Sequence, residues 1–108
     1  MLSAQVIQSA VDRLIGAAHS PLKVILFGSY ARGDAKEASD LDLLVVEDDV
    51  PDVAEEYGRL RGAIGSVGTG VDLLIYPLNE FERRRNWQTS PVFDAVRGGK
   101  VMYERRAL

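Results

Sequence analysis

Apolar residues recur along the chain at two different spacings, and each spacing predicts one type of secondary structure. An apolar residue at every third or fourth position predicts a helix over residues 3–18. Continuous apolar runs over 22–27, 41–47 and 71–76 are typical of buried strands. The first part of the chain therefore alternates helix and strand.

Three further helices and a terminal segment complete the pattern. We predict a helix over 52–64, a helix over 80–87 capped by Asn79, and a helix over 91–97 that begins at a proline. Residues 100–104 form either a short strand or an extended tail. This order predicts an α/β fold in which a small sheet is flanked by helices, and it leaves the order of the strands open.

Length and composition restrict the class of protein. The 108 residues suit one domain spanning 1–108, and 46% hydrophobic with 27% charged residues is ordinary for a soluble protein. The chain has no cysteine, which excludes disulfides and thiolate metal sites. No apolar run approaches the ~20 residues of a membrane span, and no secretory signal is evident. We expect a cytoplasmic protein.

The net charge of −3 argues against a long nucleic acid as the partner. Proteins that bind long nucleic acids neutralise phosphates with a basic surface, which an acidic chain lacks. We therefore expect no long nucleic acid among the partners, and the lack of a membrane-length apolar run predicts no membrane partner.

The most informative chemistry lies where the first and second strands meet their neighbouring loops. Gly28 and Ser29 follow the first strand, and a short helix could begin at Ser29. After ten intervening residues come Asp40 and Asp42 at the start of the second strand. Small residues at a strand end let a phosphate approach backbone N–H groups. Aspartates at i and i+2 point to the same face, roughly 7 Å apart, which suits Mg²⁺ shared with substrate phosphates.

This Gly-Ser-x10-Asp-x-Asp arrangement resembles the signature of the DNA polymerase β-like nucleotidyltransferases, and most closely their minimal nucleotidyltransferase (MNT) branch. The family has a third carboxylate on a later strand, and Asp72 begins the third predicted strand. The match spans about residues 22–76. The resemblance implies a mixed sheet of the polymerase β-like core.

The resemblance also implies roles for individual residues. Gly28, Ser29 and Arg32 would bind the nucleotide, while Asp40, Asp42 and Asp72 would be the catalytic and Mg²⁺-binding carboxylates. Asp72 would either hold metal or take the proton of the attacking hydroxyl. The reaction would be nucleotidyl transfer to an acceptor hydroxyl with release of pyrophosphate.

Members of the MNT branch often pair with a HEPN-type toxin, which implies AMP transfer from ATP to a tyrosine of that partner and an antitoxin role. The short chain offers no second domain to enclose an acceptor, which favours an acceptor on a separate macromolecule. Two alternatives stay open. One is a non-catalytic module that neutralises its partner by stoichiometric binding. The other is a small-molecule nucleotidyltransferase, whose missing wall a homodimer could supply.

Each candidate residue also has an ordinary structural interpretation. The Gly-Ser pair could be a simple strand-to-helix turn, and Asp40 could cap a turn. Asp72 could pair with a surface cation, and Arg32 could pair with Asp34 or Glu37. We assign Trp87 to the core or to side-chain packing.

Overall fold

The computed structural model describes residues 1–106. Helices and strands follow one another along the chain as α1 (Ala4–Ala17), β1 (Pro21–Phe27), α2 (Ser29–Arg32), β2 (Leu41–Glu47), α3 (Val53–Ile64), β3 (Val71–Pro77), α4 (Leu78–Arg84), α5 (Pro91–Gly98) and β4 (Lys100–Glu104). Every predicted helix and strand is present, and residues 100–104 form a strand.

The four strands form one mixed sheet in the order β3-β2-β1-β4. β1 is antiparallel to both β2 and β4, whereas β2 and β3 are parallel and are joined through α3. A parallel pair needs such a crossover because the chain must return to the same end of the sheet. The predicted mixed sheet flanked by helices is confirmed.

Side-chain caps explain where three helices begin. Ser3, Asp52 and Ser90 each accept a hydrogen bond from a backbone N–H in the first turn of α1, α3 and α5 respectively. Such caps satisfy N–H groups that lack a partner within the helix. They set the edges of the helices that cover the sheet.

The predicted capping of the fourth helix is wrong. α4 begins at Leu78 directly after Pro77, which has an extended backbone, so Asn79 already lies in the first turn and accepts from the N–H of Glu80. The helix also ends at Arg84, before Trp87, whose side chain is 45% exposed rather than in the core. Proline is well suited to this junction because its fixed φ ends the strand and its missing N–H costs nothing there.

Successive side chains along each strand point to opposite faces of the sheet, so the hydrophobic core has one part on each face. α1 and α3 pack on the face that carries Leu41, Leu43 and Val45, and α4 and α5 pack on the face that carries Leu44 and Val46. Truncating one of these buried leucines to alanine costs about 2–5 kcal/mol. The face under α4 and α5 is the one to which Asp42 belongs, because side chains two residues apart share a face.

A buried acidic pair that the sequence did not reveal lies where β2 ends. Glu47 is fully buried and accepts a hydrogen bond of 2.9 Å from the N–H of Ser20. Beside it, Glu56 of α3 accepts from the N–H of His19 and forms an ion pair with Arg59. These contacts tie the end of α1 and the start of β1 to α3.

Candidate active site

Two of the predicted carboxylates lie side by side at the start of the parallel strand pair. The register of β2 and β3 places Asp42 directly opposite Asp72, and the register of β1 and β2 places Phe27 on the other side of Asp42. Asp42 is half-buried while Asp72 is exposed. The spacing of residues in the sequence could not establish this pairing, because it depends on how the two strands align.

The electrostatic environment of Asp42 is unfavourable for a negative charge. The pKa of the Asp42 carboxyl is raised to about 6, mainly by burial, and also by a hydrogen bond with Asp72 and by repulsion from Asp72 and Asp40. The positive charge of Arg32 opposes it. A carboxyl group that lies near other negative charges holds its proton more tightly. The raised pKa therefore indicates that the negative charge at this site exceeds the positive charge that the chain provides there.

Asp40 approaches the pair from the loop before β2. Its carboxylate lies against Gly70, where a Cβ atom would be only 3.1 Å from Asp40 Cγ. A backbone hydrogen bond also joins the two segments, since the N–H of Leu41 donates to the carbonyl of Gly70 at 2.9 Å. Gly70 is a site residue that we did not predict, although its position directly before the third strand was a usable signal.

Gly28 allows the first strand to pass close to Asp42. Its φ of 72° and ψ of −154° lie in a region that is essentially restricted to glycine, and a Cβ there would meet the Asp42 carboxylate, with Asp42 Cγ at 2.9 Å. The carbonyl of Gly28 accepts from Ala31 and Arg32, which starts α2 at Ser29. The Gly-Ser turn and the carboxylates therefore form one continuous surface.

Arg32 lies at the last position of α2 and is 61% exposed. It forms an ion pair with Asp34 at 3.3 Å, which is one of the two ordinary pairings that we considered. An exposed pair of this kind contributes about 0–1 kcal/mol, so a phosphate could displace Asp34 at little cost.

The carboxylate oxygens of Asp40, Asp42 and Asp72 are suitable ligands for a hard cation such as Mg²⁺. The three aspartates take part in none of the ion pairs among residues 1–106. Carboxylate oxygens are the ligands that Mg²⁺ takes, usually from one or two carboxylates together with substrate phosphates. Within the same residues, no three acidic, histidine or cysteine side chains converge as a ready-made metal centre. The paired Asp42 and Asp72 fit a metal that is completed by a substrate.

A cleft of about 590 Å³ opens beside the Gly-Ser turn on the face of the sheet that α4 and α5 cover. Phe27, Gly28 and Arg32 form one wall, and the last turns of α5 form the other. The cleft is therefore continuous with the surface that carries Asp42.

Comparison with known proteins agrees with this geometry. The model of the nucleotidyltransferase domain family matches residues 7–97, and this chain belongs to that family. A Methanocaldococcus jannaschii protein described as a "putative protein adenylyltransferase" is 35% identical over 82 residues, which are 75% of this chain and 77% of that protein. The chain is a nucleotidyltransferase.

Two solved structures share the fold. A toxin–antitoxin structure with AMP-PNP superposes with a TM-score of 0.63 at 23% identity, over 92% of this chain and 74% of the other. The structure of a tri-AMPylated Shewanella oneidensis HEPN toxin in complex with MNT antitoxin superposes with a TM-score of 0.56 at 22% identity, over 94% and 72%. Within residues 1–106, no helix has the length and apolar character needed to cross a membrane.

Proposed function

We propose that this protein is a Mg²⁺-dependent adenylyltransferase that transfers AMP from ATP to a tyrosine hydroxyl of a HEPN-type toxin and so acts as its antitoxin. The observation that carries the proposal is the Asp42–Asp72 pair beside the Gly28 turn. There the chain gathers carboxylates without enough cationic partners, next to a backbone that leaves room for a phosphate.

Each site residue has a role in the proposed reaction. The acceptor oxygen attacks the α-phosphorus, the bond to the pyrophosphate oxygen breaks, and pyrophosphate leaves. Gly28 and Ser29 hold the departing phosphates, and Arg32 offsets their charge. Asp72 accepts the proton that the acceptor hydroxyl loses, which helps a group with a pKa near 10 to react at neutral pH.

Asp42 and Asp72 would hold Mg²⁺ together with the substrate phosphates, with Asp40 as a further carboxylate beside them. A bound Mg²⁺ supplies charge neutralisation at the phosphate oxygens. Asp42 lies between the other two, because it is opposite Asp72 across the parallel strands and two residues after Asp40. Gly70 keeps space for Asp40, as Gly28 does for Asp42.

The identity of donor and acceptor is supported by the relatives. The Methanocaldococcus jannaschii relative carries the name of an enzyme that adenylylates proteins. One structure with the same fold contains AMP-PNP, and another contains an AMPylated HEPN toxin together with its MNT antitoxin. These descriptions favour ATP as donor and a HEPN-type toxin as partner.

Co-expression with the HEPN-type partner tests the proposal. We expect mass spectrometry to find AMP on a partner tyrosine with the wild type, and no adduct with the Asp40→Ala/Asp42→Ala double variant. Purified components with labelled ATP should transfer label with Mg²⁺ and fail to do so with excess EDTA.

The same experiment separates the alternatives. A tight, unmodified complex that still silences the partner after Asp40→Ala/Asp42→Ala would replace the proposal with stoichiometric binding. Label that appears only on a small molecule would replace the protein acceptor.

A further inference from the structure

The cleft beside the Gly28 turn contains two arginines from different parts of the fold. Arg32 reaches it from α2, and Arg97 reaches it from the last turn of α5. Only Arg32 belongs to the sequence motif. Since Phe27 lines the cleft and is also the strand partner of Asp42, the cleft begins one strand away from the carboxylates.

Arg97 differs from the other arginines of the same face. Arg83, Arg84 and Arg85 of the α4 region pair with glutamates of their own segment, at 2.7, 2.8 and 3.4 Å. Arg97 takes part in none of the ion pairs found among residues 1–106, although Asp94 lies one turn before it in the same cleft. Its guanidinium lies over the Phe93 ring, 5.2 Å from the ring centre.

We propose that Arg97 binds the β- and γ-phosphates of the donor nucleotide together with Arg32, and so stabilises the leaving pyrophosphate. This inference rests on the proposed function and adds a residue to it. When the α-phosphorus–oxygen bond breaks, the electron pair stays on the pyrophosphate, whose negative charge increases. A planar guanidinium can neutralise that charge with two parallel hydrogen bonds.

The order of groups along the sheet favours phosphates over the nucleobase in this cleft. In the proposed reaction the α-phosphate lies at Asp42, and the β- and γ-phosphates lie along Gly28. The pyrophosphate end of the nucleotide therefore points to the cleft. An uncharged base has no need of two guanidiniums. The Phe93 ring also offers a base less stacking surface, because Arg97 covers one of its faces.

Nucleotide binding by Arg97→Gln in the presence of Mg²⁺ tests the inference. We expect the affinity for a non-hydrolysable ATP analogue to fall about 10-fold or more, in line with the loss of charge-assisted hydrogen bonds, while AMP binding stays unchanged. Arg97→Lys should recover part of the loss. Asp94→Asn should raise the affinity for the analogue, because it removes the negative charge of a carboxylate that lines the cleft.

Arg105→Gln is the matched control. It removes the same charge at the far end of β1, where Arg105 pairs with Asp48, and should leave ATP affinity unchanged. Thermal melting of each variant reports any structural effect of losing a cation at the end of α5.

Three outcomes would overturn the inference in distinct ways. An equal loss of ATP and AMP affinity in Arg97→Gln would assign the cleft to the nucleoside. Unchanged ATP affinity in this variant would remove Arg97 from the site. A wild type that binds no ATP at all would overturn the proposed function as well.

Discussion

The two ends of β2 each carry an acidic pair, and the two pairs are built differently. At the start, Asp42 faces Asp72 beside an open cleft. At the end, Glu47 faces Glu56 in the interior, where both side chains are buried. Burial raises the pKa of both Asp42 and Glu47, to about 6 and about 7 respectively.

The difference lies in what neutralises each pair. A hydrogen bond with Glu47, the backbone N–H of His19 and the charge of Arg59 together hold the pKa of Glu56 below its usual value despite burial. Burial, followed by a hydrogen bond with Glu56, raises the pKa of Glu47, and its Oε2 has no hydrogen-bond partner among residues 1–106. Asp42 has repulsive acidic neighbours and only Arg32 to oppose them. The Glu47–Glu56 pair, whose charge is neutralised by groups of the chain, stabilises the fold. The Asp42–Asp72 pair, whose charge is not fully neutralised, is available to a ligand.

The largest expected effect is the loss of catalytic activity in the Asp42→Asn variant. Activity should fall by at least roughly 100-fold, because even residues that only orient a metal ligand contribute about 10- to 100-fold. The melting temperature should stay near that of the wild type or rise, since a repulsive charge is removed. Transfer of label from ATP and thermal melting are measured together.

Asp49→Asn, which removes an exposed charge in the turn after β2, should change neither quantity. If Asp42→Asn unfolds the protein while the folded remainder keeps full specific activity, Asp42 is structural and the comparison fails.

Glu47→Ala should have the opposite profile and destabilise the protein by about 3–5 kcal/mol, the range for breaking a buried polar pair. The substitution leaves the N–H of Ser20 and the carboxylate of Glu56 without their partner. Chemical denaturation measures the loss. Glu47→Gln retains the shape and hydrogen-bonding ability of the protonated acid and should lose far less; equal losses would show that Glu47 is ionised.

Gly28→Ala should cost roughly 1–3 kcal/mol from backbone strain and should also displace the Asp42 carboxylate, so nucleotide binding should be lost. Gly33→Ala is its control, because Gly33 also has a positive φ but has no atom within 4 Å of a new Cβ. That variant should lose about 1 kcal/mol and keep binding. Calorimetry with an ATP analogue distinguishes them, and full binding by a folded Gly28→Ala protein would contradict the close approach.

The last expected effect is a dependence of stability on pH. Between the unfolded value of 4.5 and about 7, native Glu47 holds a proton that the unfolded chain has lost, so stability should fall as pH rises through this window. We expect the melting temperature of Asp42→Asn, which isolates Glu47, to decrease between pH 5 and pH 8 (roughly the span around these values). Adding Glu47→Gln should flatten the curve, and an unchanged slope would assign the effect to another group.

Local patterns were sufficient for the helices, the strands and part of the site. The apolar runs located β1, β2 and β3 within one residue at each end, because each strand must be apolar to be buried. Gly28 and Asp42 were identified as neighbours from a family motif. The prediction of Asn79 as a cap failed because Pro77 moved the start of the helix by two residues.

The sequence by itself determined which segments become buried strands and which residue types are available for phosphate and metal, since both follow from nearby residues. Only the tertiary structure decided that Asp42 lies opposite Asp72, that Gly70 makes room for Asp40, and that Arg97 shares a cleft with Arg32. These contacts join segments far apart in the chain. They depend on strand register and helix packing, which the sheet and its core establish together.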